Sequence, residues 1–193
     1  MWSEDKITEY IKSELKKQRY DHSLRVKDTA ISLAKKYGVD EKKASIAALV
    51  HDCAKYLDYE ILIKHSKEWG YKIDSVSKAN PSLLHGVAAA NIAKKKMGIE
   101  DEDILNAIIY HTTGRKNMSK LEKIIYLADY IEPGRKFPTI ELLREKTYNN
   151  LDEGLLFSFD NSIKFIIDRG QLIHKDTINA RNDLIVKLGR NII

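Results

Sequence analysis

The chain is predicted to be all-α, a single compact bundle of about ten helices, on three observations. Apolar positions recur at helical spacing in one segment after another, with only short breaks between segments. No segment alternates apolar and polar residues as a half-buried strand would. Glycines stand where the periodic runs stop, at Gly38, Gly70, Gly98, Gly114 and Gly170, the place just past a helix C-terminus that glycine favours. With 193 residues and 43% hydrophobic content, one domain spanning 1–193 has an ample core.

The elements follow in order. Ser3–Arg19 and Asp21–Tyr37 are the first two helices, the second closed by Gly38. The third, Asp40–Tyr56, starts at a candidate N-cap, Asp40, and carries Ala44, Ala47, Ala48 and Leu49 at helical spacing. Tyr59–Trp69 ends at Gly70. The stretch Gly70–Asn80 is polar and runs into a turn-prone Asn-Pro, which predicts a surface loop that can border a cleft. Pro81–Met97 and Asp101–Tyr110 come next. Lys120–Ile131 carries Ile124, Ile125, Leu127, Ala128 and Ile131, and Pro133 and Gly134 stop it. Pro138 lies just before Ile140–Tyr148, and Leu151–Arg169 and Thr177–Leu188 complete the bundle. The surplus amphipathic helices near the C-terminus offer a face for a homodimer.

Bulk properties exclude several classes. Lys and Arg number 33 against 28 Asp and Glu, with a pI near 9.0. That mild excess suits anionic ligands but does not single out nucleic acid, and runs such as "KSELKKQ" and "AKKKMG" read as solvated helix faces. No RNP-like or arginine-rich motif appears, so no nucleic-acid partner is expected. No apolar run approaches the roughly 18 residues of a membrane span. The charged start "MWSEDKITEYIK" lacks the apolar core of a signal peptide, and the single cysteine, Cys53, allows no intramolecular disulfide. These point to the cytoplasm. Cys53 adjoins Asp52 but reads better as a small buried packing residue than as a ligand.

The functional signal is a series of histidines and aspartates: His22, the doublet His51-Asp52, His85, His111 and Asp129, each in or beside a predicted helix. A carboxylate in an apolar run needs a partner, because burying it unpaired costs several kcal/mol or more. For Asp129 alone, a Lys or Arg would serve. Four histidines joined by a His-Asp pair and a later Asp in an apolar helix are better explained by a divalent cation. Neighbouring helical residues point about 100° apart, so His51 and Asp52 reach one ion only if it lies beside their helix and other helices supply the rest. His65 in "IKHSKEWG" and His174 in "LIHKDT" lack such company and read as surface or packing residues.

Imidazole and carboxylate ligands without thiolate suit iron, manganese, zinc, nickel or cobalt and disfavour a structural zinc site. Six candidate ligands point either to two ions or to one ion with histidines left over to hold substrate. Paired ions about 3.5–4 Å apart generate a hydroxide and stabilise both oxygens of an in-line phosphoryl displacement, so phosphate-ester or phosphoanhydride hydrolysis is the leading reaction. Lys55, three residues after Asp52 and four after His51, either stabilises the developing phosphoryl charge or forms an intrahelical salt bridge with Asp52. Arg135 is placed to fork onto phosphate oxygens. Thr112 binds phosphate or caps a turn, and Arg25, one turn from His22, contacts substrate or a ligand residue.

The ordered motifs "DHSLRV", "ALVHDCAKY", "LLHGVAAA", "IIYHTTG" and "YLADYIEPGR" resemble those of the HD-domain metal-dependent phosphohydrolases, and most closely the YqeK family of symmetrical bis(5′-nucleosyl)-tetraphosphatases. The resemblance runs from about Tyr20 to Ile185. It implies an HD-type bundle with a metal-binding core at about 20–135 and C-terminal helices at about 138–190 packed on it. It implies cleavage of diadenosine tetraphosphate into two ADP, with His51, Asp52 and Lys55 as the catalytic group. It implies that His22, His51, Asp52 and Asp129 are the core metal ligands and that His85 and His111 serve a second ion, the metal being iron, as a di-iron centre. It further implies that His22, Lys55, His85, His111, Thr112, Asp129 and Arg135 surround the substrate phosphates. Another HD-type activity, nucleoside triphosphatase or phosphodiesterase, and a non-catalytic nucleotide-sensing module are the alternatives.

Overall fold

Short oxygen-bearing side chains begin most of the helices. Ser3 caps α1 (Glu4–Glu14), Asp40 accepts from the Lys42 and Lys43 amides at the start of α3 (Glu41–Val50), and Asp101 does the same for α7 (Glu102–Tyr110). Ser119 and Glu122 form a reciprocal capping box on α8 (Lys120–Ile131). The computed structural model describes residues 1–190, and among them it contains eleven α-helices, one 3-10 turn and no strand. The remaining helices are α2 (Lys17–Tyr37), α4 (Tyr59–Glu68), α5 (Ser75–Ala79), α6 (His85–Met97), α9 (Ile140–Asn149), α10 (Leu151–Asp168) and α11 (Lys175–Lys187). The five predicted end-of-helix glycines all adopt positive φ.

The core gathers around α8, whose Leu121, Ile124, Ile125, Leu127 and Ala128 are buried and which packs on α2, α3, α7, α9 and α10. Val26, Ala30 and Leu33 of α2 and the apolar run Ala44–Val50 of α3 close one side. α6 closes another with Ala88, Ala89, Ala90 and Ala93, small residues that let it approach α4 and α7. The approach to α7 is closest at Gly86, where an added Cβ would lie 2.7 Å from the Ile109 carbonyl and 2.9 Å from that of Ile108. On the far side Phe159 of α10 is fully buried against Tyr126 of α8, with ring centroids 4.8 Å apart. Truncating such an aromatic costs about 3–5 kcal/mol, so this contact fixes the C-terminal helices onto the core.

Three local expectations need correction. The first break falls at Leu15 and Lys16, both extended, rather than near Tyr20. Every residue there is a good helix former, so the sequence carries no stop signal; the break exists because Leu15 turns into the core. His22 therefore stands inside α2. Second, α3 ends at Val50, and 51–56 continue as tight turns with the Cys53 amide on the Val50 carbonyl and the Lys55 amide on that of Asp52. The doublet lies on those turns and not on a helix face. Third, Gly70–Asn80 contains the short α5, capped by Asp74, and Pro81–Leu84 is a 3-10 turn, so α6 starts at His85 rather than at Pro81.

Candidate metal centre

Three histidines are oriented by one local device. His51 and His111 directly follow α3 and α7, and His85 opens α6 after the 3-10 turn. Each ring turns its Nδ1 onto the carbonyl three residues back: Ala48 at 2.6 Å, Ile108 at 2.7 Å, and Ser82 for His85. Carbonyls at helix ends have spare acceptor capacity. A carbonyl only accepts, so Nδ1 holds the proton and donates it, which leaves Nε2 as an open lone pair. His22 reaches the same state through a side chain, its Nδ1 donating to Glu132 Oε1 at 3.1 Å.

The four Nε2 atoms converge on Asp52. Its Oδ1 lies 2.9 Å from His85 Nε2 and 3.7 Å from His111 Nε2. Its Oδ2 lies 3.4 Å from His51 Nε2 and 3.9 Å from His22 Nε2, and it accepts from Arg19 at 2.8 Å. Asp129 joins the Oδ2 side, its Oδ1 3.0 Å from His22 Nε2. Lys55 Nζ stands on the Oδ1 side, 3.5 Å from Asp52 and 3.3 Å from His85 Nε2.

This arrangement lacks positive charge at its centre. His22 Nε2, His51 Nε2 and Asp52 Oδ1 are buried with no hydrogen-bond partner, because lone pairs and carboxylate oxygens have no proton to offer one another. Each such group costs about 1–3 kcal/mol. His85 and His111 bring their Nε2 atoms within 3.0 Å, a repulsive pair of lone pairs unless a proton or cation stands between. Two overlapping triads, His22/His51/Asp129 and His51/Asp52/His111, each gather their ligand atoms within 4.8 Å of one another. The residues fit a divalent metal. One ion, or two sharing Asp52, would satisfy every orphaned atom, and the nitrogen and oxygen donor set suits a first-row transition metal.

Protonation tendencies agree. Burial pushes the His111 imidazole down to about 4, helped by its histidine neighbours, so it is neutral near pH 7. Burial alone would raise Asp52, but its interactions with His51, His111 and His85 outweigh it and hold Asp52 well below the usual carboxylate range. Asp129 is lowered likewise against burial, by His22 and by Arg135. At His51 burial is outweighed by the fields of Asp52 and Asp129, which raise its affinity for a proton. Two carboxylates thus call for positive charge at the place where a metal would sit.

All six predicted ligands are therefore brought together. Lys55 stands 3.5 Å from Asp52 Oδ1, the salt-bridge partner foreseen for it, and 3.3 Å from His85 Nε2. Arg135 folds back onto the Asp129 carboxylate and backbone carbonyl. The Thr112 hydroxyl is buried and unpartnered beside His111, and Arg25 is tied to Glu132 at 2.6 Å. His65 meets Asn91, while His174 caps α11 and lies 3.3 Å from Asp74. Cys53 is a buried free thiol whose pKa burial pushes up. Two residues escaped the sequence reading. Glu132 orients His22 and also accepts from Arg25 and the Gly134 amide; its position one turn after Asp129 was the available signal. Arg19, one turn before His22, holds Asp52.

A cleft of about 830 Å³ opens from the cluster, bounded at its inner end by His111, Thr112, Asp129 and Arg135 and farther out by Tyr126, Tyr130, Phe137 and Phe165. That volume is in the range of small-molecule sites. No helix among the described residues is long and apolar enough to cross a membrane.

Comparison with known proteins bears on the same residues. The family model described as HD domain matches residues 19–134, which include every candidate ligand. The chain is 42% identical to a symmetrical bis(5′-nucleosyl)-tetraphosphatase of Halalkalibacterium halodurans, over 94% of this chain and 97% of that protein. It is 40% identical to the protein of the same name from Bacillus subtilis, over 91% of this chain and 94% of the other. A crystal structure from Clostridium acetobutylicum, described as a predicted HD superfamily hydrolase involved in NAD metabolism, superposes with a TM-score of 0.94 at 55% identity, covering 97% of this chain and 99% of that one.

Proposed function

This chain belongs to the HD-domain family, and on that premise we propose that it is a symmetrical bis(5′-nucleosyl)-tetraphosphatase, hydrolysing diadenosine tetraphosphate at its central anhydride to two ADP. The observation that carries this reading is the ring of four open imidazole Nε2 atoms around Asp52, joined through Asp129 and Arg135 to a cleft of nucleotide size. The names of relatives about 40% identical along almost the whole chain support it.

His22, His51, Asp52 and Asp129 would hold the tighter ion, and His85 and His111 with Asp52 a second; iron is the metal such a site would take. When bound, such ions supply a nucleophile from water near neutral pH and neutralise charge on the phosphoryl oxygens. The chain's own groups do the rest. Lys55, about a third exposed, offers an ammonium beside His85 that strengthens as charge grows on the transferred phosphorus. The Thr112 hydroxyl, with no partner of its own, donates to a phosphate oxygen at the cleft's inner end. Arg135 has donors left after binding Asp129 and presents them to the same phosphates. The aromatic side chains Tyr130, Phe137 and Phe165 give one nucleoside an apolar wall. A cytoplasmic setting fits the lone, free cysteine.

Products decide the register. Metal-loaded protein should give ADP alone from diadenosine tetraphosphate at early times, and in isotopically labelled water half of the ADP should carry one labelled oxygen. Equal appearance of ATP and AMP would exclude the symmetrical cut and leave a metal hydrolase of different register.

A further inference from the structure

A second cavity meets the cluster. It borders Gly134 and Arg135, as the wide cleft does, but reaches the metal residues through His22 rather than His111. Gln18, Arg19, Arg25, Tyr56, Glu132 and Arg135 surround it, and its volume is about 190 Å³. That equals roughly six water molecules at about 30 Å³ each. A pair of phosphates fills such a space and leaves little of it for a ribose and base as well.

The donors left over favour an anion. Three guanidinium groups face the cavity, each holding one carboxylate: Arg19 on Asp52, Arg25 on Glu132 and Arg135 on Asp129. A guanidinium has five donors, and none of these pairs uses more than two. Arg19 makes one contact with a carboxylate, at 2.8 Å to Asp52 Oδ2, the oxygen that faces His22 and His51, and otherwise meets only the Tyr56 side chain. A cation ligated at that oxygen would leave two positive charges on one carboxylate. Their repulsion is relieved when an anion lies between Arg19 and the cation. At the cavity's edge the Tyr56 ring is 47% exposed, with the Lys16 ammonium 4.9 Å from its centre. It offers a passing base one face at most.

Resting on the tetraphosphatase reading, we propose that the small basic cavity takes only the two phosphates of the departing half, with Arg19 as their contact, and leaves the second nucleoside outside. The enzyme then reads one nucleoside and a phosphate chain rather than a dinucleotide. Water adds across the bond between the second and third phosphates, and the departing half leaves with two phosphates whether or not a nucleoside is attached.

Adenosine 5′-tetraphosphate, which lacks the second nucleoside, tests this with the metal-loaded wild-type protein. It should be split to ADP and pyrophosphate with kcat/KM within about tenfold of that for diadenosine tetraphosphate. A loss beyond about a hundredfold would overturn the inference, whereas failure to cleave diadenosine tetraphosphate itself would overturn the function it rests on. Calorimetry with inorganic pyrophosphate supplies a readout apart from turnover. Arg19→Ala should weaken pyrophosphate binding at least about tenfold, with Arg19→Lys recovering part of it, in samples matched for bound metal. Unchanged pyrophosphate affinity in Arg19→Ala would mean that Arg19 serves Asp52 alone.

Discussion

The two oxygens of Asp52 look out on unlike surroundings. Oδ2 faces His22 and His51 with Asp129 beside them, a pocket holding two carboxylates and closed by Arg19. Oδ1 faces His85, His111 and the Lys55 ammonium, with no second carboxylate. A divalent ion is held by negative charge and open lone pairs together, so the Oδ2 side is the stronger cation site. The Oδ1 side, with one shared carboxylate and a lysine, would bind a cation more weakly and accept a phosphate more readily. One side chain thus joins a place that wants a cation to a place that tolerates an anion, which is the pairing that phosphoryl hydrolysis requires.

The largest expected effect removes the comparison altogether. Asp52→Ala takes a ligand from both sides, so bound metal and hydrolysis should both be lost; elemental analysis showing full metal content would remove the doublet from the site. Lys55→Ala is next and touches the Oδ1 side alone. Metal content should hold while kcat falls by about 10²–10³, or about 2.7–4 kcal/mol, and unchanged kinetics would reduce Lys55 to a salt-bridge partner of Asp52.

Gly86→Ala separates the sides by geometry. The new methyl would press within 2.9 Å of two α7 carbonyls and sit 3.3 Å from His111 Nδ1, pushing α6 from α7 and His85 from His111. Overpacking of this kind costs about 1–3 kcal/mol of stability. It should lower the thermal midpoint and impair the Oδ1 side, leaving one tightly held ion. Loss of all metal together would show that the two sides do not act separately.

Much of this was legible in the residues. Ten of the eleven helices announce themselves by apolar spacing, caps and glycines. The candidate ligands are readable because buried histidines and aspartates need a reason to be there. Three things were not. The break at Leu15 lies among helix formers, so only its burial reveals it. α5 is a five-residue helix, too short for periodicity to register. The aromatic cleft and the Arg19 cavity are built from Phe137, Phe165, Tyr56 and Gln18, residues far apart in sequence whose types are common on any surface, and only the fold makes them neighbours.

The smallest expected effect falls on the Oδ2 side through Glu132. Its buried carboxylate accepts from His22 Nδ1 on one oxygen and from Arg25 and the Gly134 amide on the other. Burial opposes its charge, but Arg25, the Gly134 amide and His22 outweigh that and hold its pKa below the usual value. In Glu132→Gln the shape is kept and one acceptor becomes a donor. If the amide oxygen faces His22, the amide nitrogen meets the Arg25 and Gly134 donors, an unfavourable contact in a buried place. If the nitrogen faces His22, the ring must accept at Nδ1 and move its proton to Nε2, which ends its use as a ligand. Either way the Oδ2 ion should bind about 10–100-fold more weakly, roughly 1.4–2.7 kcal/mol, while the Oδ1 side, two residues removed from Glu132 through His22 and Asp52, keeps its affinity. Competition with a chelator resolves the two steps. An equal loss at both would show that His22 is not confined to the Oδ2 side, and no loss at either would show that the imidazole keeps its orientation without the carboxylate.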